Sequence, residues 1–384
     1  MQGSKPHTGH FVVTSKMIRI VVVGAGLIGP RHAQSVQAHP STCLAAFVDP
    51  SPTALPIAQA FAVPCFPSLQ SLLESLPKEE RPHAAIICTP NHTHVPVAKQ
   101  LIAAGIHILL EKPVSDSIES AQELLSTLSE PSNKDVKILV GHHRRFNPYV
   151  QTTKSLLASN SLGTPIAVNG LWTLHKPDDY FAPPLGSWRA DKSKGGVFGI
   201  NLIHDIDLLH FFFGPIARVH AEPIKPQRQT VDSEHTAEEG AALTFRFASG
   251  VVGTFLVCDA TPSPLNFETG TGENPLIPLV DPQESASDCY RIFGSAASLS
   301  VPDMTRWSYD GKAVKGWNGE LAVEKVEVEG VDVKPFDRQL AHFVDVLEGR
   351  VAEVSCSVEE GVRALLVVRA AKRSLETGLP VEVV

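Results

Sequence analysis

The chain has little that would attach it to a membrane, to nucleic acid or to a disulfide framework. No apolar stretch among its 384 residues approaches the roughly 20 residues needed to cross a bilayer. Its formal net charge of −8 argues against general binding to nucleic acid or to an anionic membrane surface, although backbone amides can still hold a phosphate locally. The six cysteines form no C-x-x-C pair, which favours reduced, buried thiols and a cytoplasmic protein; they stand at positions 43, 65, 88, 258, 289 and 356.

The sequence also lacks internal repeats and low-complexity tracts. Residues 1–16 have no long apolar core followed by a small-residue cleavage site, so we expect a flexible extension rather than a signal peptide, with Met17 as an alternative start. A chain of 384 residues suits two domains. We predict a dinucleotide-binding domain over 17–143 and a substrate-binding and oligomerisation domain over 144–384.

A glycine-rich turn follows the first strong apolar run. Residues 18–23 read IRIVVV and lead directly into G-x-G-x-x-G. Gly24 permits a tight turn, Gly26 lets a pyrophosphate approach the backbone at a helix N-terminus, and Gly29 lets that helix pack close to the sheet. Asp49, after the next apolar run, can accept hydrogen bonds from a ribose. Together they predict a dinucleotide site; the alternative is an α/β turn with purely structural glycines.

Strands and helices alternate through the first third of the chain, which predicts a doubly wound parallel sheet, a Rossmann fold. Strands 84–89 and 107–111 are almost wholly apolar, as is typical of parallel strands covered on both faces. Ser68 is the predicted N-cap of an apolar-faced helix over 68–76. The other predicted strands are 44–49, 64–66 and 137–141, and the other predicted helices are 29–38, 53–61, 93–104, 117–129 and 148–158.

After about residue 160 the pattern changes to short strands with few helices. This predicts an α+β domain with a large open, mostly antiparallel sheet and helices near 200–213, 336–349 and 358–377. Residues 225–240 and 259–288 have loop composition, and the second stretch is long enough to be a lid, an oligomer contact or a mobile segment. The predicted strands are 165–174, 216–224, 241–248, 251–258, 290–294, 297–301 and 322–328.

Three polar motifs follow predicted parallel strands, at the sheet edge where ligands of doubly wound folds bind. They are T-P-N-H-T-H over 89–94, E-K-P over 111–113 and G-H-H-R-R-F-N-P over 141–148. A lone E-K-P is usually a surface turn, but three such motifs in a cofactor domain favour a functional role. For the His142–His143 pair, packing or solvent contact is favoured over substrate contact.

A further motif stands on a predicted apolar helix. Residues 195–209 read GGVFGINLIHDIDLL, with Asn201 three and four residues before His204 and Asp205. Polar side chains on an apolar helix need partners. A lone histidine in such a place is usually a satisfied core residue, but the polar neighbours and the glycine-rich entry favour a functional site here.

Together these motifs resemble those of the Gfo/Idh/MocA oxidoreductases, the family of glucose–fructose oxidoreductase and inositol dehydrogenase. The resemblance spans residues 17–384. It rests on the glycine turn, T-P-N with His94, E-K-P, the R-R-F segment with Pro148, the Gly-Gly run before His204, and A-x-x-x-S-x-x-x-G over 371–378. It implies hydride transfer between a nicotinamide and a hydroxyl or carbonyl carbon of a sugar, cyclitol or related polyol-like molecule. It also implies a homodimer or homotetramer formed through the open sheet.

The resemblance implies roles for particular residues. Lys112 is expected to touch both cofactor and substrate, and His204 to act as the acid/base group. Relatives often carry Asp four residues before this histidine, but the chain has Ile200, so Asn201 or Asp205 would replace it in part and the substrate would be less polar or differently held. The predicted cofactor-binding residues are Gly24, Gly26, Leu27, Ile28, Gly29, Asp49, Thr89, Pro90, Asn91, His94, Glu111 and Lys112. The predicted substrate-binding residues are Lys112, Arg145, His175, Trp188, Arg189, Asn201 and His204, with packing as an equal alternative for Trp188.

The residues favour NAD over NADP. Asp49 would repel a 2′-phosphate, and Pro-Ser-Pro at 50–52 offers no arginine, although NADP stays open because a distant basic residue can be recruited. No metal is predicted, because the histidines and acids near 92–94 and 204–207 lack the spacing of a closed site. The alternative function is a non-catalytic NAD(P)-binding sensor or regulatory protein of the same fold; the presence of both Lys112 and His204 favours the enzyme.

Overall fold

The computed structural model describes residues 17–183, 186–228, 234–280 and 288–384. Contacts divide the chain into two units, one ending at Cys88 and one beginning at Thr89. The predicted extension 1–16 lies outside the described residues, as do parts of the predicted loops 225–240 and 259–288. The domain boundary at 143/144 stays a prediction. Within the described residues, no helix is both long and apolar enough to cross a membrane.

The first unit is a parallel sheet whose strands alternate with helices. Its elements are β1 (Ile18–Val23), α1 (Gly29–Ala38), β2 (Thr42–Val48), α2 (Ala54–Ala60), β3 (Cys65–Phe66), α3 (Leu69–Ser75) and β4 (Ala84–Ile87). The strand order is β3-β2-β1-β4, with parallel pairing throughout. Ile20, Val21 and Val22 have no exposed surface, because both faces of this sheet are covered. Ser68 caps α3 by accepting a hydrogen bond from the amide of Ser71 at 3.1 Å, as its position predicted.

The second unit begins with further alternating elements. They are α4 (His94–Ala103), β5 (His107–Leu110), α5 (Ile118–Ser129), β6 (Ile138–Val140) and α6 (Pro148–Ala158). Strands β5 and β6 pair in parallel, and their leucines at 109 and 139 are fully buried. The prediction of parallel strands alternating with helices is confirmed, with boundaries one or two residues from those expected.

A nine-stranded sheet forms the larger part of the second unit. Its strands are β7 (Pro165–Thr173), β8 (Ile216–Pro223), β9 (Gly240–Phe247), β10 (Val252–Cys258), β11 (Tyr290–Gly294), β12 (Ala297–Val301), β13 (Thr305–Ser308), β14 (Ala322–Lys325) and β15 (Val381–Glu382). Their order is β14-β13-β12-β11-β7-β10-β9-β8-β15. All pairings are antiparallel except β7 with β10, so the predicted open, mostly antiparallel sheet is confirmed.

One face of this sheet is covered by helices. In β10, Gly253, Phe255 and Val257 point into the core, whereas Val252 and Leu256 lie on the opposite, exposed face. The covering helices α7 (Ile203–Phe213) and α10 (Val358–Thr377) pack on each other, and α10 also packs on β8. Helix α9 (Pro335–Leu347) packs on the 3₁₀ turn over 143–146.

Several local features differ from expectation. The predicted strand 322–328 ends at Lys325, and the short strands β13 and β15 were not predicted. The predicted loop 259–288 contains a short helix, α8 (Phe267–Thr271), which buries Phe267 and Glu268. The predicted helix over 200–213 is a π-helix over 198–202 followed by α7. Strand β15 pairs with β8, which lies far earlier in the chain, so local composition does not reveal it.

Candidate functional site

The glycine turn of the first unit has the shape that a bound phosphate needs. Gly24 has a φ of +99°, which other residues rarely adopt. A Cβ on Gly29 would lie 2.1 Å from the carbonyl oxygen of Gly24, so only glycine permits this close contact between α1 and β1. A Cβ on Gly26 would meet no atom within 4 Å, and the neighbouring Leu27 is 93% exposed. Open space therefore lies over the backbone just before Ile28 and the first turn of α1, which fits an approaching pyrophosphate.

Asp49 holds this turn in place. Its Oδ2 accepts a hydrogen bond from the amide of Ala25 at 2.8 Å, and its Oδ1 accepts one from the amide of Ser51 at 2.8 Å. The carboxylate is only partly buried. Each carboxylate oxygen has a second lone pair, so Asp49 can also accept from ribose hydroxyls. Its structural role was not anticipated.

His94 joins two of the predicted motifs inside the second unit. Its Nδ1 lies 2.8 Å from the carbonyl oxygen of Pro113, and its Nε2 lies 2.8 Å from that of Thr89. The ring is 1% exposed, and burial lowers its pKa. This geometry favours a positioning role for His94, in place of the direct cofactor contact expected from the sequence. In the loop that it holds, Pro90 is exposed and Asn91 is partly buried.

Lys112 contacts the π-helix. Its Nζ donates to the carbonyl oxygen of Ile200 at 3.4 Å, and its backbone amide donates to Oε2 of Glu111 at 3.1 Å. Burial lowers the pKa of the Lys112 ammonium, and the charge of Glu111 acts in the opposite direction. The side chain at position 200 is apolar, but the backbone there supplies the acceptor. A π-turn changes which backbone groups are bonded along a helix and often marks a functional site.

His204 lies at the start of α7 among other cationic and imidazole groups. It is 7% exposed, and its ring centre is 5.4 Å from that of His143 and 6.2 Å from that of His142. Burial lowers its pKa well below the ordinary histidine value, and the charges of Lys112 and Arg144 lower it further. His204 is therefore neutral near pH 7, and a neutral imidazole can accept a proton. Its Nδ1 is buried without a hydrogen-bond partner among the described residues.

Among the described residues, neither expected substitute for the missing acid hydrogen-bonds to Nδ1 of His204. Asn201 Oδ1 accepts from Nζ of Lys176 at 2.5 Å. Asp205 Oδ1 accepts from the hydroxyl of Tyr290 and lies 3.7 Å from Nη1 of Arg144. Burial raises the pKa of Asp205 to about 7, although Arg144 and the Tyr290 hydrogen bond act against this shift.

Two carboxylates from the predicted loop 259–288 hold Arg144. Glu268 pairs with Nη2 of Arg144 and also accepts from Nε1 of Trp172 at 2.8 Å. Glu273 accepts from Nε of Arg144 at 3.3 Å and lies 3.1 Å from Nε2 of His143. This part of the predicted loop therefore contributes to the polar cluster. No local pattern marks these glutamates, since a lone glutamate in a loop is usually solvated.

Arg145 does not occupy the place expected for a substrate contact. Its Nη2 and Nε bind Asp207 at 2.7 and 2.9 Å, and its Nη1 binds the carbonyl of Ser355 and lies 3.2 Å from Glu360. The residue is 1% exposed. Its donors are thus engaged inside the protein, and the expectation of substrate contact is corrected to a structural ion pair.

One group of described side chains has metal-ligand types at close range: His142, Asp207 and Cys356. His142 Nδ1 is 3.7 Å from Asp207 Oδ2, and Cys356 Sγ is 3.9 Å from Asp207 Oδ1. The Arg145 guanidinium already pairs with this carboxylate, so a second cation would meet like-charge repulsion. Burial raises the pKa of the Cys356 thiol well above its usual value, which disfavours the thiolate that a metal requires. All six cysteines are free, as expected, and Cys43 and Cys65 are only partly buried.

A buried lysine that the motifs do not predict lies beside one of the remaining predicted substrate residues. His175 is exposed, whereas the adjacent Lys176 is 6% exposed. The Lys176 Nζ lies 4.7 Å from the ring centre of Tyr180, and the Arg189 guanidinium lies 4.3 Å from the same centre. Trp188 is 40% exposed. Side chains of an extended chain alternate between its two sides, which puts Lys176 on the same side as Trp172. This alternation is the sequence signal that predicts burial of Lys176.

Comparisons with known proteins identify the family of the chain. A family model described as "Oxidoreductase family, NAD-binding Rossmann fold" (GFO_IDH_MocA) matches residues 18–142, and one described as "Oxidoreductase family, C-terminal alpha/beta domain" (GFO_IDH_MocA_C) matches residues 154–383. An uncharacterised oxidoreductase, YrbE, of Bacillus subtilis is 25% identical over 386 residues, covering 96% of this chain and 97% of the relative.

Two further proteins are similar to the chain. Inositol 2-dehydrogenase of Rhizobium meliloti is 30% identical over 197 residues, which cover 51% of this chain and 55% of that protein. The solved structure of a levoglucosan dehydrogenase in complex with NADH and levoglucosan is 18% identical with a TM-score of 0.76, covering 96% of this chain and 100% of that one. The two family matches span most of the chain, so the protein belongs to the Gfo/Idh/MocA family of NAD-binding oxidoreductases.

Proposed function

We propose that the protein is an NAD-dependent dehydrogenase or reductase acting on a CH–OH group of a sugar, cyclitol or related polyol-like small molecule. The observation that carries the proposal is the approach of Lys112 and His204 at one turn. Lys112 donates to the carbonyl of Ile200, and its charge is the largest electrostatic influence on the pKa of His204 after burial. Relatives named inositol and levoglucosan dehydrogenase support a polyhydroxylated substrate.

The residues present fit the cofactor through two kinds of contact, backbone amides for its pyrophosphate and a carboxylate for its ribose. Backbone amides around Gly26 and Ile28 would hold the pyrophosphate, and Asp49 would accept from the ribose. In the second unit, residues 89–91, Glu111 and Lys112 keep the cofactor-binding role that the resemblance implies. When bound, the nicotinamide accepts or supplies the hydride.

The protein supplies the proton transfer and the charge stabilisation. In oxidation, His204 takes the hydroxyl proton, because its imidazole is neutral in the folded protein and, among the described residues, has an open acceptor. The Lys112 ammonium stabilises the negative charge that develops on the substrate oxygen as the C–O bond becomes a carbonyl. In reduction the same groups act in reverse, with the protonated His204 returning the proton.

The test is reduction of NAD by a panel of cyclitols, aldoses and hydroxy acids, followed by absorbance of the reduced nicotinamide. We expect turnover with at least one class of compound. Lys112→Met should lower the turnover rate about 10²-fold or more, because one preorganised donor to a developing oxyanion contributes about that factor to the rate. Lys315→Met, an exposed lysine on the hairpin before β14, is the matched control. Cofactor binding without turnover of any member would favour a sensor protein instead.

We also propose that copies of the chain pair through the uncovered face of the nine-stranded sheet. On this face Val252 is 52% exposed, Phe293 is 42% exposed and Leu256 is 36% exposed. Burying these apolar side chains would favour association. Sedimentation velocity should show a dimer or tetramer that Leu256→Lys converts to smaller species, and Val314→Lys, exposed on the hairpin, should leave the oligomer intact. A monomeric wild type would contradict the proposal.

A further inference from the structure

Two lysines converge on consecutive residues of the π-helix, and only one of them was expected at the site. Lys112 Nζ lies 3.4 Å from the carbonyl oxygen of Ile200, and Lys176 Nζ lies 2.5 Å from Oδ1 of Asn201. Lys112 comes from the loop after β5 and Lys176 from the segment after β7, so two separate parts of the second unit bring positive charge to one turn. We call residues 200–201 with these two lysines the lysine-flanked turn.

Lys176 fixes the chemistry that Asn201 presents. An ammonium group only donates hydrogen bonds, so the side-chain oxygen of Asn201 is the atom that faces Lys176. The Nδ2 amino group consequently points away, and no described residue accepts a hydrogen bond from it. The side chain of Asn201 is only partly buried, so this group is available to a ligand. The turn thus offers a donor where a carboxylate at position 200 would have offered an acceptor.

Lys176 is held firmly in this position. Its Nζ lies 3.6 Å from Oδ2 of Asp259, 5.4 Å from the ring centre of Trp172 and 4.7 Å from that of Tyr180. Nη1 of Arg228 lies 2.7 Å from Oδ1 of Asp259, so this one carboxylate pairs with two cations. The lysine cannot swing away without losing these contacts, and the orientation of Asn201 is preset before a ligand arrives.

The carboxylates near the lysine-flanked turn are already engaged. Glu268 and Glu273 hold Arg144, and Asp205 accepts from Tyr290. Among the described residues, no carboxylate lies within ion-pair distance of Lys112 Nζ. Lys176 is paired with Asp259, but Lys112 Nζ and the Nδ2 group of Asn201 present positive charge and a donor to a ligand without a carboxylate partner among the described residues. A ligand oxygen that carries negative charge would satisfy this arrangement better than a hydroxyl, because charge-assisted hydrogen bonds are about twice as strong as neutral ones.

We propose that the lysine-flanked turn is a carboxylate subsite, and that the substrate is a polyhydroxylated acid rather than a neutral polyol. The carboxylate would accept from Nδ2 of Asn201 and lie in the field of Lys112 and Lys176. Asn201 contacts the substrate, and Lys176 is a positioning residue that acts through Asn201. This inference rests on the proposed function, which it narrows to one substrate class.

The test is calorimetric binding to protein saturated with NADH, which prevents oxidation of the added hydroxy compounds. Three pairs of equal chain length are compared: D-gluconate with D-glucitol, D-xylonate with D-xylitol, and D-glycerate with glycerol. In the wild type we expect at least one acid to bind about tenfold or more tightly than its alcohol, which corresponds to about 1.4 kcal/mol. The Kd for NADH is measured for every variant as a check that the protein is folded.

Two variants examine the two parts of the subsite. Asn201→Asp, nearly equal in shape, replaces the donor with an acceptor and should abolish or reverse the preference for the acid. Lys176→Met should weaken acid binding about tenfold while alcohol binding changes less than about twofold, because Asn201 is no longer held with its Nδ2 toward the ligand and the field of one ammonium is lost. Asn318→Asp and Lys315→Met make the same chemical changes on the exposed hairpin before β14 and should leave the preference unchanged.

Specific outcomes would overturn the proposal. The first is a wild type that binds no acid more tightly than its alcohol. The second is an equal loss of binding affinity for both members of a pair in Lys176→Met. This second outcome overturns the proposal even if Asn201→Asp does not fold. Reduction of NAD by alcohols with no preference for acids would leave the proposed function standing and remove the subsite. Selective acid binding with no reduction of NAD by any compound would leave the subsite standing and remove the proposed function.

Discussion

At the scale of single residues, burial and neighbouring charge determine what the candidate catalytic groups can do. His204 carries no described partner on its Nδ1, and its pKa is lowered by burial and by Lys112. A histidine with an ordinary environment would be partly protonated at pH 6.5. Here the proton-accepting form is the resting form, which suits a base.

His204→Ala should therefore reduce turnover by about 10²–10⁴-fold, the usual contribution of a positioned base. Because the folded pKa lies well below 6.5, the wild type should show no fall in kcat from His204 protonation between pH 8 and 6.5. Steady-state turnover at saturating NAD measures both effects. Full activity of His204→Ala, with unchanged NAD affinity, would leave Lys112 as the main candidate for proton transfer.

Asp49 combines two roles that a single substitution separates only in part. Its carboxylate supports the amides of Ala25 and Ser51 and is also the group expected to select a free ribose. Asp49→Asn keeps an acceptor for the turn but removes the charge that repels a 2′-phosphate. We expect it to narrow the difference between the Kd values for NADH and NADPH by about tenfold, on the order of one charge interaction near a protein surface. Tighter binding of NADPH than NADH by the wild type would show that Asp49 does not set the preference.

At the scale of elements, the glycines of the first turn perform different physical tasks. A methyl group on Gly29 would collide with the carbonyl of Gly24, whereas one on Gly26 would project into open space. The helix start therefore depends on Gly29 for packing and on Gly26 for access.

Gly29→Ala should lower the free energy of unfolding by about 1–3 kcal/mol, the usual cost of overpacking. Gly26→Ala should leave that free energy nearly unchanged and weaken NAD binding, because its methyl group occupies the space that a pyrophosphate needs. Thermal unfolding and NADH titration of both variants distinguish the two tasks. Equal loss of stability in both would contradict the separation.

The junction of the π-helix with α7 is a second element that positions groups of the candidate site. The wider turn directs the carbonyl of Ile200 to Lys112 and the side chain of Asn201 to Lys176. The apolar pattern predicts a regular helix here. The pattern shows which residues are buried, but it does not show how many residues form each helical turn, so it does not reveal the π-helix.

At the scale of the whole molecule, buried neutral histidines connect stability to pH. His210 has both ring nitrogens buried without partners among the described residues, and burial lowers its pKa to about 4; Asp207 acts against this shift, and Arg145 and Arg363 add to it. The unfolded chain binds this proton near pH 6.5, so the contribution is present above that pH and is lost as pH falls toward the folded value.

His210→Leu should consequently lose less stability than the wild type between pH 7 and pH 5, by about 1–2 kcal/mol. Asp205, with a folded pKa of about 7, acts in the opposite direction in both proteins and cancels in the comparison. Chemical denaturation at the two pH values measures the difference, with His175→Gln, an exposed histidine, as control. The same pH dependence in His210→Leu and wild type would show that His210 titrates normally.

The architecture and the main chemical groups follow from local sequence patterns. The hydrophobic periodicities gave the alternating first third and the open sheet because burial of apolar side chains repeats every two or 3.6 residues. G-x-G-x-x-G, E-K-P and the helix carrying His204 are local patterns, so they were readable without a structure. The ends of most elements fell within one or two residues of prediction for the same reason.

The partners of individual polar side chains, in contrast, depend on tertiary contacts. Arg145 is engaged by Asp207, His94 joins two loops, and Glu273 from a predicted loop holds Arg144. Lys176 is buried while its neighbour His175 is exposed. Each of these outcomes depends on a partner distant in the chain, and a charge reveals its partner only when the backbone brings the two within hydrogen-bond distance.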